Sequence, residues 1–250
     1  MQAPAAFHRL LGSAALCGAL AATGAPAQAV LVNGGFESGL DGWTVADLPG
    51  SDGGFRSQSG SGSPLTASPV AAPPQGTRAA MSDAEGPGAH VLYQDFVVPA
   101  GVSTALLSFQ LYVRNEAGEA FVPETLAFAT PALNQQVRVD LLLPSADVFA
   151  TDSLQPLYRS TPGTAGQAAY QLLSFDVAAV LQAHEGQTLR LRFADTNNVA
   201  LQNVGVDAVN LAVSVVPEPA TAGMLALGLA GCLVPGLWRR RRAAAVAQGG

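Results

Sequence analysis

Between Val30 and Val216 the apolar residues recur at every second position, and that period constrains the fold more than any other feature of the chain. Gln135 to Leu143 sets Val137, Val139 and Leu141 against Arg138 and Asp140. Thr188 to Phe193 sets Leu189, Leu191 and Phe193 against Arg190 and Arg192. A repeat of two belongs to a strand with one face in a core, whereas a helix repeats at about 3.6. Further strands are predicted at Val30 to Val32, Arg78 to Ser82, Val91 to Val98, Thr104 to Val113, Tyr170 to Val177 and Asn203 to Val215. Pro99-Ala100-Gly101 closes one of them, and only Ala178 to His184, ended by Glu185-Gly186, reads as a helical turn. Many short strands joined by Gly/Pro turns predict an all-β chain, an antiparallel β-sandwich of the jelly-roll kind.

Two local signals refine this. In the last strand Val204, Val206 and Ala208 share one parity, but Val209, Leu211, Val213 and Val215 take the other. Such a phase slip marks a β-bulge, here around Asp207, and a bulge re-aims the carboxylate it carries. Near the front, Asn33-Gly34-Gly35 is a turn that needs positive φ, flanked by Phe36 and Trp43 as aromatic anchors. Residues 48–76 are rich in Gly, Ser and Pro and are predicted to form one long surface loop.

The two ends have a different character. His8 and Arg9 precede an apolar run from Leu10 to Ala22, and Ala27-Gln28-Ala29 follows the small-x-small rule. Residues 1–29 therefore read as a signal peptide, an N-terminal signal helix cut by signal peptidase after Ala29, with Ala27 and Ala29 as its recognition residues. At the other end, residues 216–242 join Pro217-Glu218-Pro219, an uncharged stretch over 220–238 and the cluster Arg239, Arg240, Arg241 and Arg242. At about 1.5 Å per residue the uncharged stretch spans close to the ~30 Å of a bilayer core. Trp238 stands where an interfacial aromatic belongs, and the arginines hold their side in the cytoplasm together with the tail 243–250. Pro235 kinks the last turn without preventing a span.

This order of parts resembles the PEP-CTERM sorting signal of Gram-negative bacteria. The resemblance implies that an exosortase, a membrane cysteine protease, cleaves near Pro217, Glu218 and Pro219. It implies a protein exported across the inner membrane, transiently anchored by a C-terminal transmembrane helix, then placed at the cell surface or in the extracellular matrix. The family is associated with exopolysaccharide and biofilm production. The simpler alternative is an ordinary single-pass anchor behind a proline linker.

Removing both ends leaves residues 30–215 as one β-sandwich domain, and composition limits what it does. Cys17 and Cys232, the only cysteines, lie in the removed ends, so the domain has no disulfide, thiolate metal site or cysteine nucleophile. Five of the 12 basic residues (Arg9 and Arg239 to Arg242) and one of the 18 acids (Glu218) also lie there. The remainder is seven arginines against 17 acids, a formal net of −10. So acidic a surface argues against nucleic acid as a partner and leaves carboxylates available for calcium.

A second set of residues carries a second resemblance. Val32-Asn33-Gly34-Gly35-Phe36-Glu37-Ser38-Gly39 with Gly42-Trp43, then Tyr93 to Pro99, then Arg192 to Asp195 with Asn203 to Val209, resemble carbohydrate-binding-module jelly rolls of the galactose-binding-like fold. The resemblance implies a structural calcium linking the first loop to the last strand. Its ligands would be Glu37 and Asp207 with backbone carbonyls near Asn33 and Gly35. Without a metal, Glu37 would cap its own turn and Asp207 would sit at a solvated bulge. Sugar binding calls for open aromatics, and Trp43, Tyr112, Tyr158 and Tyr170 are the candidates, Trp43 being equally a core residue. Asp195-Thr196-Asn197-Asn198 and Arg114-Asn115-Glu116 either bind sugar hydroxyls or simply form turns.

Catalysis finds little support. His90 and His184 stand outside any metal-ligand spacing and are expected at the surface, and no nucleophile elbow, phosphate loop or dinucleotide fingerprint occurs. The sequence therefore reads first as a non-enzymatic exported protein, sorted by exosortase and associated with extracellular polysaccharide. The alternative is a specific carbohydrate-binding module with a structural calcium. A secreted hydrolase is the third reading.

Overall fold

A computed structural model describes residues 28–216. The strands are β1 (Gln28–Ala29), β2 (Thr44–Asp47), β3 (Gly54–Ser59), β4 (Arg78–Asp83), β5 (Gly88–Val97), β6 (Val102–Asn115), β7 (Gln135–Leu142), β8 (Gln155–Arg159), β9 (Gln171–Asp176), β10 (Thr188–Asn197) and β11 (Gln202–Val215). One short helix, α1 (Ala178–Gln182), lies between β9 and β10. All pairings are antiparallel and form two sheets, β3-β4-β11-β6-β9 with β1 added on β11, and β2-β5-β10-β7-β8. The chain is thus an all-β two-sheet sandwich. Among the described residues no helix is long and apolar enough to cross a membrane. The signal segment up to Ala27, the Pro217-Glu218-Pro219 motif, the 220–238 span and Arg239 to Arg242 lie outside the described residues. Ala29, the last residue before the expected cut, is the Cα partner of Ala212 in β1.

The alternation seen in the sequence is the packing. Leu189, Leu191 and Phe193 of β10, with Val137, Val139 and Leu141 of β7, meet Leu107, Phe109, Leu111 and Val113 of β6 across one core. Phe36 and Trp43 close it, their rings 5.2 Å apart, with Trp43 6.0 Å from Phe193. Phe193 in turn meets Phe109 edge-on at 5.2 Å, a favoured aromatic geometry.

The bulge falls where the parity slips. Asp207 is opposite Gln110 and Asn210 is opposite Ser108, so β11 carries one residue more than β6 between them. Ala208 absorbs it with φ of 50°. Val204 and Val206 before the bulge and Val209, Leu211 and Val213 after it then all reach the core. The first loop docks on this irregularity: the Val209 amide donates to the Gly34 carbonyl at 2.8 Å. A Cβ on Gly34 would overlap the Val209 carbonyl, so only glycine permits the approach.

Four expectations change. Val30 to Val32, predicted as a strand, forms none: β1 ends at Ala29 and the chain enters the first loop there. The predicted loop over 48–76 contains β3, paired with β4 throughout its length. Its sequence, Gly-Phe-Arg-Ser-Gln-Ser, has one large apolar residue and therefore no visible period. β2 and β8 are likewise too short to show one. His90, expected at the surface, is 1% exposed, because β5 turns it inward beside β10.

The outward face of the second sheet is also not a solvent face. Arg192 is fully buried; it donates to the carbonyls of Val148 at 2.8 Å and Ala150 at 2.7 Å and pairs with Asp140. Arg138 reaches Asp140 at 3.3 Å and the Thr151 carbonyl at 2.5 Å. Burial lowers the pKa of Arg192, and Asp140 opposes that shift. Val148 and Phe149 cover Val91, Ala194 and Leu126 beside these groups. The segment between β7 and β8 thus covers the outward face of this part of the sheet.

Candidate functional site

Glu37 and Asp207 come from opposite ends of the domain and meet at the segment that leads into β4. The Glu37 carboxylate accepts the Thr77 amide at 2.8 Å, the Arg78 amide at 2.9 Å and the Thr77 hydroxyl at 2.8 Å. Those bonds hold its pKa below the usual value. Asp207 accepts the Gln75 amide at 3.1 Å and the Ala208 amide at 2.6 Å. Burial pushes its pKa up to about 6 against those two bonds, and the charge of Glu37 adds to the rise. Asn33, at φ of 48°, staples the loop: its amide donates to the Gly39 carbonyl at 3.1 Å and the Asp41 carbonyl at 2.9 Å. Its backbone carbonyl accepts the Trp43 indole at 3.2 Å. Gly35 has open space where a Cβ would be. The alternative of Glu37 capping its own turn is not what is seen, since its partners lie 40 residues on.

No expected stacking residue forms an open platform. Trp43 lies in the core. Tyr112 is 5% exposed and packs on Tyr170 at 5.3 Å over Met81 and Val70. The Tyr170 hydroxyl donates to Gln58 at 3.2 Å, and burial raises its pKa well above the ordinary value. Tyr158 is half-buried against the core, which likewise raises its pKa. The reasons differ: Trp43 and Tyr158 pack on the core between the sheets, whereas Tyr112 and Tyr170 are buried in a separate cluster on the outer face of the first sheet.

An open cavity of about 210 Å³, with both polar and apolar residues in its walls, lies at one end of the sandwich; a second, of about 320 Å³, lies against β6 and β11 near Asp176. To the first, the β4–β5 turn contributes Glu85, Gly86 and Pro87, and the end of β10 with the following turn contributes Asn197 to Leu201. Its walls are fixed by hydrogen bonds. Asp52 accepts the Glu85 amide at 2.8 Å. Asn198 accepts the Asn134 amide at 2.7 Å and donates to Phe128 and Ala132 carbonyls at 3.0 and 2.9 Å. The side-chain oxygen of Gln135 takes the amides of Val199 and Ala200 at 3.4 and 3.3 Å.

Asn197 is the exception. It is 2% exposed, and its amide nitrogen donates to the carbonyls of Gly86 at 3.1 Å and Ala200 at 3.4 Å. Two carbonyls on that side fix the orientation, since the reverse flip would set oxygen against oxygen. The Oδ1 atom is then a buried acceptor with no protein donor. Of the two outcomes expected for Asp195 to Asn198, a turn or a hydroxyl-binding group, the strand end makes Asn197 a cavity wall.

No family model matches the chain, and no curated protein matches it. Solved structures do resemble it. TmCBM61, in complex with β-1,4-galactotriose, is 13% identical over 74% of this chain and 97% of that one, with a TM-score of 0.44. The K3 adhesin domain of the Porphyromonas gingivalis Lys-gingipain is 14% identical over 75% and 98%, with a TM-score of 0.46. A Stig cyclase of Fischerella is 16% identical over 76% and 100%, with a TM-score of 0.44. At these scores the likenesses say nothing of ligand or activity.

Behind Asn197 lies a buried polar layer between the sheets. Asp195 accepts the Ser82 hydroxyl at 2.9 Å, and His90, opposite it on β5, meets Asp47 at 2.7 Å. Asp195 Oδ1 and His90 Nε2 have no protein partner. Burial raises Asp195 to about 6, although His90 and the Ser82 bond oppose the shift. Asp83, equally buried, shifts the other way: burial raises it, but bonds from Thr66, Ser63, Leu65 and Asn203 more than offset that. Among the described residues neither histidine is hydrogen-bonded to a hydroxyl, and no group of three or more His, Cys, Asp or Glu side chains gathers to hold a metal.

Proposed function

We propose that the protein is a non-catalytic carbohydrate-binding module acting in an extracellular polysaccharide matrix. The open cavity between the β4–β5 turn and the end of β10 carries this reading. Asn197 holds its two walls together by donating to the carbonyls of Gly86 and Ala200. Binding of the full chain to an oligosaccharide array tests it. Retention of sugars that is abolished by Asn197→Ala supports the reading; retention by that variant at the parent level refutes it.

Calcium belongs to the same proposal as a structural ion. Glu37 and Asp207 are hard oxygen donors of like charge near one another, and Glu37 contributes to the raised pKa of Asp207. A divalent cation would neutralise both and tie the first loop to the bulge in a domain without cysteine. Export and exosortase sorting rest on Ala27, Ala29, Pro217 to Pro219 and Arg239 to Arg242 in the sequence. The mass of the mature protein tests both cuts, and a mature chain that retains 220–250 refutes sorting.

A further inference from the structure

The four strands at the sheet edges are not equally protected. β3 and β9 bound the first sheet, and β2 and β8 bound the second. An uncovered edge presents a row of unpaired backbone groups, and short length, proline, basic residues and bulges keep other chains off it. β2 has only four residues. β3 opens on Gly54 at φ of 137° and turns Arg56 to solvent. β8 carries Pro156 and Arg159, and its register with β7 shifts between Val139 and Asp140. β9, Gln-Leu-Leu-Ser-Phe-Asp, has none of these devices. It pairs with β6 without interruption from Leu111–Gln171 to Leu106–Asp176, and its one charge, Asp176, stands at its end. Leu172 on this strand is 63% exposed. The phase of the bonding assigns the free groups. The Val177 amide donates to the Ala105 carbonyl at 3.0 Å, one position beyond the Leu106–Asp176 pair. Alternate residues of an antiparallel strand bond to the same side. Leu173 and Phe175 therefore face β6, whereas Leu172, Ser174 and Asp176 turn their N–H and C=O groups outward. Among the described residues the one hydrogen bond on that side runs from the Gln155 side chain to the Asp176 carbonyl at 3.5 Å.

We propose that β9 is a dimer interface: it pairs antiparallel with β9 of a second copy of this chain about a two-fold axis, joining the two first sheets into one. A register centred on Leu173 sets Leu172 opposite Ser174 of the partner subunit, and the two free residues of each copy then exchange their amide and carbonyl bonds. The same register sets Leu173 against its own copy, Gln171 against Phe175 and Asp176 against Tyr170, so no like charges meet. The charge pattern favours this occupant. A basic or acidic peptide finds no counter-charge from Gln171 to Phe175, whereas a second acidic domain meets an uncharged strip.

Sedimentation of the full chain in a neutral detergent, with amide hydrogen exchange over the same concentrations, tests it. The chain should dimerise, and the amides of Leu172 and Ser174 should exchange about tenfold or more slowly in the dimer, whereas those of β3 should not respond to concentration. Leu172→Lys and Ser174→Pro block the edge without entering the core, since the Leu172 side chain is exposed and the Ser174 amide bonds to nothing within the chain. Each should weaken the dimer about tenfold or more and leave the circular dichroism spectrum unchanged. Leu133→Lys, at an exposed leucine away from β9, should not weaken it. A chain that stays monomeric up to about 100 µM overturns the inference. So does a dimer that both Leu172→Lys and Ser174→Pro leave intact, which uses another surface. Exchange at Leu172 and Ser174 that is independent of concentration overturns it without recourse to any variant.

Discussion

Replacing Asp195 by asparagine should stabilise the protein at neutral pH and do nothing at low pH. Burial raises Asp195 from 3.8 to about 6, outweighing His90 and the hydrogen bonds from Ser82 and Gln202 that oppose the shift. A carboxylate whose folded pKa lies above its unfolded value binds its proton more tightly in the fold. Its contribution is fully present below pH 3.8 and lost as pH rises through about 6. A displacement of about two units corresponds to about 3 kcal/mol, an upper bound because His90 faces the same carboxylate. Asparagine keeps the acceptor for Ser82, carries no charge and offers an amide toward His90 Nε2. Urea unfolding at pH 4 and pH 7.5 should show equal stability at the first and a gain of about 1–3 kcal/mol at the second. A gain of equal size at both pH values, or a loss at pH 7.5, would refute the argument.

The wild-type profile should have its maximum at about pH 4 and fall from there to about pH 6. Asp195 and Asp207 lose their contributions across that interval, whereas Glu37 and Asp83, held below their ordinary values, lose theirs as pH falls below about 4. Calcium should raise the melting temperature at pH 7.5 and EDTA should lower it; Asp207→Asn should remove the response, and an unchanged melting temperature with either reagent sinks the ion. Gly34→Ala should cost about 2–4 kcal/mol by forcing the first loop off Val209 and breaking its amide bond, measured by urea unfolding. Arg192→Met should cost about 3–5 kcal/mol, because it strands Asp140 in a buried site with only Arg138 at 3.3 Å.

The period-two pattern made the sandwich legible in the sequence, and the parity slip made the bulge legible, because both are consequences of which side chains enter the core. β3 leaves no repeat to read because Phe55 is its one large apolar residue, on the core face, and the buried Gln58 lies on the opposite face against Tyr170. The arginines of β7 and β10 were correctly placed on the face away from the core, but polarity does not reveal whether a second loop covers that face. Val148, Ala150 and Thr151 cover it through backbone carbonyls, which any residue supplies. The meeting of His90 with Asp195 depends on the β5–β10 register, a pairing across 105 positions that no local signal encodes.

The two candidate sites differ in what fixes them, and that difference explains why one was visible early. The Glu37–Asp207 pair is built on backbone irregularity: positive φ at Asn33, Phe36 and Ala208 and a glycine pressed on a carbonyl. Such geometry restricts residue choice, so it leaves a mark in the sequence. The Asn197 cavity is built on hydrogen bonds between side chains and turn backbones, and Asn, Gln and Asp occur in turns for many reasons. Its construction shows only when each bond is assigned: two carbonyls claim the amide nitrogen of Asn197, and the oxygen is buried without a protein donor.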